Sequence, residues 1–482
     1  MNRFAVRVIW LVLLLCCTQS FAQYADCRAF YALTDQMVTR TAVRDAQEAA
    51  VDGFPYLRVN RFLAAAIKNT NNDEQFDFAA QQMLQADRRA RQIELNNLPP
   101  AVLGELRQYQ QKNFPDQANI TAAFDYCGEL MLRADRARLI VTKAKIHAPA
   151  SYSILKRLAG LYPLAAIPFS RGIRKFQAEM TQSYAKPLSD ITPQDALVFH
   201  APPATTTIDV AALIRHASEN PLHMPLPNEA ELAQLFAQFA PNFAIDTRDE
   251  FDRPGAVAWG NDQKIRVDIS APHVYTLASH TVFEGKFLLQ LNYFIWFSER
   301  PKRGNFDMLG GALDGVIWRV TLGADGTPLI YDSIHPCGCY HLFFPTEKLR
   351  AKAHHPSLQE HAYVPQGAPD LPSGTRPTIW IESATHYVLR VTNEAPSDSI
   401  QYQMADYDQL RSLPRSDGTR RSLFRPDGLV AGSERGERIF FWPMGIKSAG
   451  AMRQWGHHAT AFVGIRHFDD ADLIEKAFEN AK

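Results

Sequence analysis

The sequence predicts an α+β protein: a helical N-terminal region followed by a mixed domain with antiparallel sheet and a buried central helix. Three observations carry this. Residues 24–195 repeat apolar positions at helical spacing with almost no two-residue alternation. Val316, Trp318, Val320 and Leu322 alternate with Arg319 and Thr321 ahead of a Gly323-Ala324-Asp325-Gly326 turn, so 316–322 and 328–334 read as a hairpin. Thr281 to Phe297 is apolar around nearly its whole circumference and reads as a buried helix.

The N-terminus carries an export signature. Arg3 and Arg7 precede an apolar run from Val8 to Cys17, and Ser20-Phe21-Ala22 supplies small residues at a cleavage position before Gln23. The run is short for a bilayer span, which needs about 20 residues. A lipid on Cys16 is the other reading, disfavoured by the bulky Leu15 before it. Residues 1–22 are therefore expected to be a signal peptide, with the mature chain periplasmic or secreted and without a transmembrane anchor.

Beyond it, Phe30–Ala50, Tyr56–Lys68, Phe76–Leu95, Pro99–Gln111 and 118–146 are expected to be helical. Arg88, Arg89 and Arg91 read as a solvated helix face. The boundaries expected are a helical domain over 24–195, a linker over 196–206 containing Ala201-Pro202-Pro203, and a mixed domain over 207–482. Within the last, Glu229–Phe239 is a helix. Short strands are expected at 256–259, 264–269, 378–382, 387–392, 438–442 and 460–468, with 396–421 loop-like and a terminal helix begun by Asp469 or Asp470.

Lys plus Arg equals Asp plus Glu at 51 each, so nothing marks a nucleic-acid footprint. Four cysteines follow the signal. Cys27 and Cys127 are expected to pair as a structural disulfide, which an oxidising compartment permits. Cys337 and Cys339 lie in the densest chemical segment, His335-Pro336-Cys337-Gly338-Cys339-Tyr340-His341. Extended, it would span about 20 Å, too far for one metal ion; Pro336 and Gly338 argue that it turns instead.

That turn admits three readings. Cys337, Cys339 and His341, with His280 approaching from elsewhere, make a zinc ligand set. Cys337 or Cys339 with His335 as base makes a thiol nucleophile, with oxyanion donors from the Gly338 or Cys339 amide. Cys337 and Cys339 joined make a disulfide clip. His280 and Glu284, four apart, would share a helix face, while Thr281 and Glu284 also fit a capping box. Asp307, Asp314 and Asp332 flank the cluster. Asp332 shares strand parity with Ile330 and Ile334 and needs a buried partner, for which Arg319 across the hairpin is the candidate. Arg453, Trp455 and a histidine of His457-His458 read as loop, or as the lining of a sugar or peptide pocket.

The chain lacks G-x-S-x-G, His-Glu-x-x-His, a P-loop and an early dinucleotide fingerprint. The expectation is an exported hydrolase, metal- or thiol-dependent, acting on an envelope or extracellular polymer. Against it stands a non-catalytic periplasmic structural or interaction protein with a disulfide-clipped turn.

Overall fold

In the computed structural model, residues 3–191, 196–203, 208–353, 357–372, 375–394 and 399–481 are described, with side chains from residue 22. They form two compact units: residues 1–148 with 419–422, and residues 149–418 with 423–482.

The first unit is helical. Helix α1 (Arg3–Arg40) turns Cys27, Phe30, Tyr31, Thr34 and Val38 inward at three- and four-residue spacing. Strands β1 (Ala49–Val51) and β2 (Phe54–Val59) follow, then α2 (Arg61–Lys68), α3 (Asp73–Asn97), α4 (Pro100–Asn113) and α5 (Ile120–Thr142). The helix expected over Tyr56–Lys68 thus begins later. Asn60 caps α2 by accepting from the Leu63 amide at 2.8 Å, and the residues before it pair with β1. Cys27 and Cys127 are bonded, joining α1 to α5. Arg91 is buried, not part of a wet face. Asp87, one turn earlier on α3, takes its Nε at 2.8 Å and also meets Arg58 of β2, whose Nη2 reaches Glu94 at 2.7 Å.

The second unit opens with α6 (Ile154–Ala159) and α7 (Tyr162–Tyr184), the long internal helix of the mixed region. Then come β3 (Ala196–His200), α8 (Val210–Ala217), α9 (Glu229–Phe239), β4 (Asn242–Asp246), β5 (Ala256–Trp259) and β6 (Ile265–Asp268). The putting-together of β3 with β4 makes 196–200 a sheet strand, not linker.

Residues 281–297 are not a helix. They belong to β7 (His273–Phe283) and β8 (Lys286–Arg300), antiparallel strands joined at Glu284-Gly285. Both turn residues have positive φ, 50° and 71°, the backbone of a tight hairpin. The physical reason for the misreading is double burial. Leu289, Leu291, Tyr293, Ile295 and Phe297 face one core, while Phe294 and Trp296 face another, so the strand shows no polar alternation.

After β8 run β9 (Gly311–Leu322), β10 (Pro328–Ile334), β11 (Leu342–Pro345), β12 (Leu349–Ala351), β13 (Thr378–Ile381), β14 (Val388–Thr392), β15 (Ser399–Gln401) and β16 (Gln403–Asp406). The expected hairpin is present: β9 and β10 pair antiparallel around Gly326. A six-stranded sheet has the order β11-β10-β9-β8-β7-β16, and a five-stranded sheet the order β14-β13-β4-β3-β15. Their facing sides share one core built around Phe243, Ile379, Tyr293 and Trp318. Residues 399–406, expected as loop, add a parallel edge strand to each sheet.

The C-terminal part holds α10 (Asp408–Arg411), β17 (Leu413–Pro414), β18 (Arg420–Arg421, which belongs to the first unit), α11 (Arg438–Phe441), α12 (Leu473–Ala477) and β19 (Phe478–Asn480). Residues 438–442 are a helical turn, not a strand; Phe441 packs on Phe169 and Phe462, with ring centroids at 5.0 and 4.3 Å. Residues 460–468 are irregular. Amides in the middle of this stretch go to side chains instead of a ladder: Val463 donates to Glu360 at 2.8 Å and Ala461 to the Tyr152 hydroxyl at 3.2 Å, while Thr460 and Phe468 donate to backbone carbonyls. Strand β17 and the terminal helix are short, and His354-His355-Pro356 lies outside the described residues.

Candidate functional site

The β9–β10 hairpin delivers the cysteine-histidine segment at the end of β10. The backbone closes on itself: the Gly338 amide donates to the His335 carbonyl at 2.7 Å and the His335 amide to the Cys339 carbonyl at 3.0 Å. Gly338 has φ +91°, and a Cβ there would stand 2.5 Å from the Ala459 carbonyl oxygen, so only glycine fits. Arg453 clamps the turn from outside, its Nε donating to the Cys337 carbonyl at 3.0 Å and its amide to Pro336 at 2.9 Å. Arg453 and Trp455 are buried, so they brace this turn from a loop.

His335, Cys337, Cys339 and His341 are all buried; the two cysteines adjoin each other, and the two histidines diverge. His341 Nε2 meets Asp332 Oδ2 at 2.8 Å; Arg319 donates from Nε to Asp332 Oδ1 at 2.8 Å and from Nη1 to the Phe468 carbonyl at 2.6 Å. The predicted Arg319–Asp332 pair is therefore present and orients a histidine. Burial pushes His341 down to about 4, against the pull of Asp332. Burial acts to raise the Asp332 carboxyl, but Arg319 and His341 outweigh it and hold it low.

His335 joins a second network. Its Nδ1 lies 3.3 Å from Asp314 Oδ1, and Asp314 Oδ2 lies 2.9 Å from His386 Nδ1. His386 stacks on Phe297 at 3.9 Å and approaches Asp252 at 3.4 Å, an electrostatic contact. Asp252 is fixed by the Ser383 hydroxyl and the Ala384 amide, each at 2.7 Å. The result is a buried chain, Asp252–His386–Asp314–His335. Burial acts to lower His386, but Asp252 and Asp314 prevail and raise it; burial does lower His335. Sequence reasoning noted Asp314 but missed His386 and Asp252. Both stand on loops whose approach to β9 depends on the five-stranded sheet.

Cys337 and Cys339 are both free thiols, so the clip expected between them is not formed. The Cys339 amide points at Cys337 Sγ, 3.4 Å away. Contact with Cys337, then burial, drives the Cys339 thiol well above its ordinary range. Among the described residues His335 Nε2 is buried without a hydrogen-bond partner, so it engages neither sulfur.

His280 is placed apart. The sheet register runs Ile334–Ile317–Phe294–Tyr275, and His280 lies five residues further along β7. That is about 16 Å along the strand and about 14 Å across three strands, a separation of about 20 Å. Its Nε2 meets the Pro225 carbonyl at 2.7 Å. Glu284 sits in the hairpin turn and accepts from Asn480 Nδ2, while the Thr281 hydroxyl donates to the Ala471 carbonyl, so no capping box forms. His273 meets the Ala271 carbonyl at 2.8 Å. Among the described residues, no group of three or more His, Cys, Asp or Glu side chains is arranged to hold a metal ion.

Two cavities adjoin the turn. One, of about 10 Å³, takes a single water-sized group between Arg300, Asp314, His335, Cys337, Arg435 and Glu437. The other, of about 470 Å³, is walled by Phe169, Ile173, Phe176, Tyr340, Phe441 and Phe462, with Cys339 and His341 at its floor. Leu309, Tyr340 and Glu437 border both. Burial pushes the Glu437 carboxyl up to about 7. The larger cavity's other charged groups are committed: Glu360 accepts the Val463 amide, and Arg466 donates to the Thr460 carbonyl at 2.9 Å. Compared with family models, curated proteins and solved structures, the chain matches none.

Proposed function

We propose that this is an exported, non-catalytic binding protein whose second unit takes an apolar or amphipathic small ligand. The observation that carries the reading is the 470 Å³ cavity, lined mainly by aromatic and aliphatic side chains. Cavities of this size and lining suit small-molecule ligands. The reactive groups beside it are restrained: Asp332 holds His341, Asp314 holds His335, and contact with Cys337 and burial keep the Cys339 thiol protonated. Glu437 is the polar anchor, since its carboxylate accepts no hydrogen bond among the described residues; near neutrality it presents either a proton or a charge to a ligand. Export is supported by the signature at residues 1–22 and by the Cys27–Cys127 disulfide.

Titration with a hydrophobic fluorescent naphthylamine probe tests this. Saturable, one-site binding is expected. Gly172 borders the cavity on α7 and a Cβ there meets nothing within 4 Å, so Gly172→Trp should fill the space without disturbing the fold. It should weaken binding by more than about tenfold. Equal binding by the variant, or no saturable binding, would overturn the reading.

One observation favours the hydrolase as a second reading. The Asp252–His386–Asp314–His335 chain ends on an Nε2 that has no partner among the described residues, beside the small cavity that Cys337 also borders. Hydrolysis of an ester or peptide bond in an envelope polymer, abolished by Cys337→Ser and His335→Gln alike, would establish it; the zinc form would instead show metal uptake lost in a Cys337→Ser, Cys339→Ser double variant.

A further inference from the structure

Leu155, Leu158, Leu161, Leu164 and Ile167 recur every third residue through α6 and α7. Leu155 and Leu158 stand on α6, Leu161 at the left-handed junction, and Leu164 and Ile167 on α7; apolar residues this dense ordinarily pack into a core. Here the four leucines are between 63% and 79% exposed. Single exposed leucines need no explanation, but contiguous ones do.

These are contiguous with a second exposed group. Phe169 of α7 packs on Phe441 of α11, and Arg157 of α6 donates to the carbonyls of Met444 at 2.9 Å and Gly464 at 2.5 Å. This fastens α6, α7, α11 and the 462–465 loop together. On the fastened elements, Ile439, Phe440, Trp442 and Ile465 also remain exposed. These fastened elements of the second unit thus present nine large apolar side chains to solvent.

Charge surrounds that face asymmetrically. Apart from Arg157, which is turned onto the Met444 and Gly464 carbonyls, residues 151–186 hold five basic residues, Lys156, Arg171, Arg174, Lys175 and Lys186, against one acidic residue, Glu179, in a chain that is neutral overall. Arg171, Arg174 and Lys175 are exposed and continue the Leu164–Ile167 face of α7 at three- and four-residue steps. No helix among the described residues is long and apolar enough to cross a membrane.

We infer that this face docks onto the surface of a bilayer carrying anionic phospholipids, with the leucines and Phe440 in the acyl boundary and the basic residues among the headgroups. Apolar residues backed by Lys and Arg are what an interfacial, non-spanning contact requires, and Trp442 is suited to the headgroup level. A second copy of the chain fits less well. Two-fold pairing would bring the same basic collars together with a single acidic residue on each. The inference does not depend on what fills the cavity.

Co-sedimentation of the purified protein with phosphatidylcholine vesicles, with and without three-tenths phosphatidylglycerol, tests it. Binding is expected to the anionic vesicles, with a blue shift in tryptophan emission that Trp442→Phe removes. Leu155→Ser, Leu158→Ser and Phe440→Ser together change only exposed side chains and should lower the vesicle partition coefficient by more than about tenfold. Arg171→Glu, Arg174→Glu and Lys175→Glu should abolish the preference for anionic vesicles. Failure to pellet, or pelleting untouched by both variants, would overturn the inference. So would a dimer in sedimentation velocity that the triple Ser variant dissolves, without vesicle binding, since the occupant would then be a second copy.

Discussion

Arg319 and Asp332 stand on directly opposed rungs of β9 and β10, and the guanidinium closes on both carboxylate oxygens inside a fully buried site. His341 shares one of those oxygens, and the Arg319 guanidinium carbon lies 3.7 Å from the centre of the Phe468 ring. Removing one partner leaves the other charge buried and unmatched. Asp332→Asn and Arg319→Met are each expected to cost about 3–5 kcal/mol in chemical denaturation. A loss below about 1 kcal/mol in both would mean that water reaches the pair.

Acid sensitivity follows from His341. Its folded value, about 4, lies below that of a free imidazole. Between pH about 6.5 and about 4 the unfolded chain therefore binds a proton that the folded chain does not, and stability falls as pH drops through that window, by roughly 3 kcal/mol in all. His335, also lowered by burial, acts in the same direction below pH about 6.5, while the raised His386 changes stability only above it, so the comparison must be between variants. In urea titrations at stepped pH, His341→Gln should show a flatter slope across pH 4–6.5 than the parent. An unchanged slope would remove His341 as the cause.

The β7–β8 turn places Glu284 at φ +50°, where a side chain with more than a short polar group is disfavoured. Glu284→Asn should stabilise the protein by about 0.5 kcal/mol despite losing the Asn480 contact, and Gly285→Val should destabilise it by about 1–2 kcal/mol. Thermal melts giving the opposite order would contradict the turn geometry.

Cys337 and Cys339 should resist a thiol-specific disulfide reagent in the native protein at pH 8, reacting at less than about one-hundredth of their rate in denaturant. Burial of both and the raised Cys339 thiol set this expectation. Rapid native labelling of either would show a reachable sulfur and shift weight to the thiol hydrolase.

Much of this was readable from local pattern. The β9–β10 hairpin announced itself because Val316, Trp318, Val320 and Leu322 face a core while Arg319 and Thr321 do not, and a turn signal follows. Parity along β10 was enough to demand a partner for Asp332 and to name Arg319. Strands with both faces covered defeated the same logic: β8 has no polar side to break its apolar run, and only its pairing with β7 and β9 identifies it.

The sequence by itself determined the α+β class, the Cys27–Cys127 pairing and the turning of the 335–341 segment, because those depend on residue spacing, turn chemistry and oxidising context. Only the tertiary structure decided where the side chains of that turn go. His335 and His341 are drawn to opposite carboxylates, Asp314 and Asp332, and His280 lies strands away. Those separations depend on sheet order and register, which bring together residues far apart in the chain and are set by long-range packing.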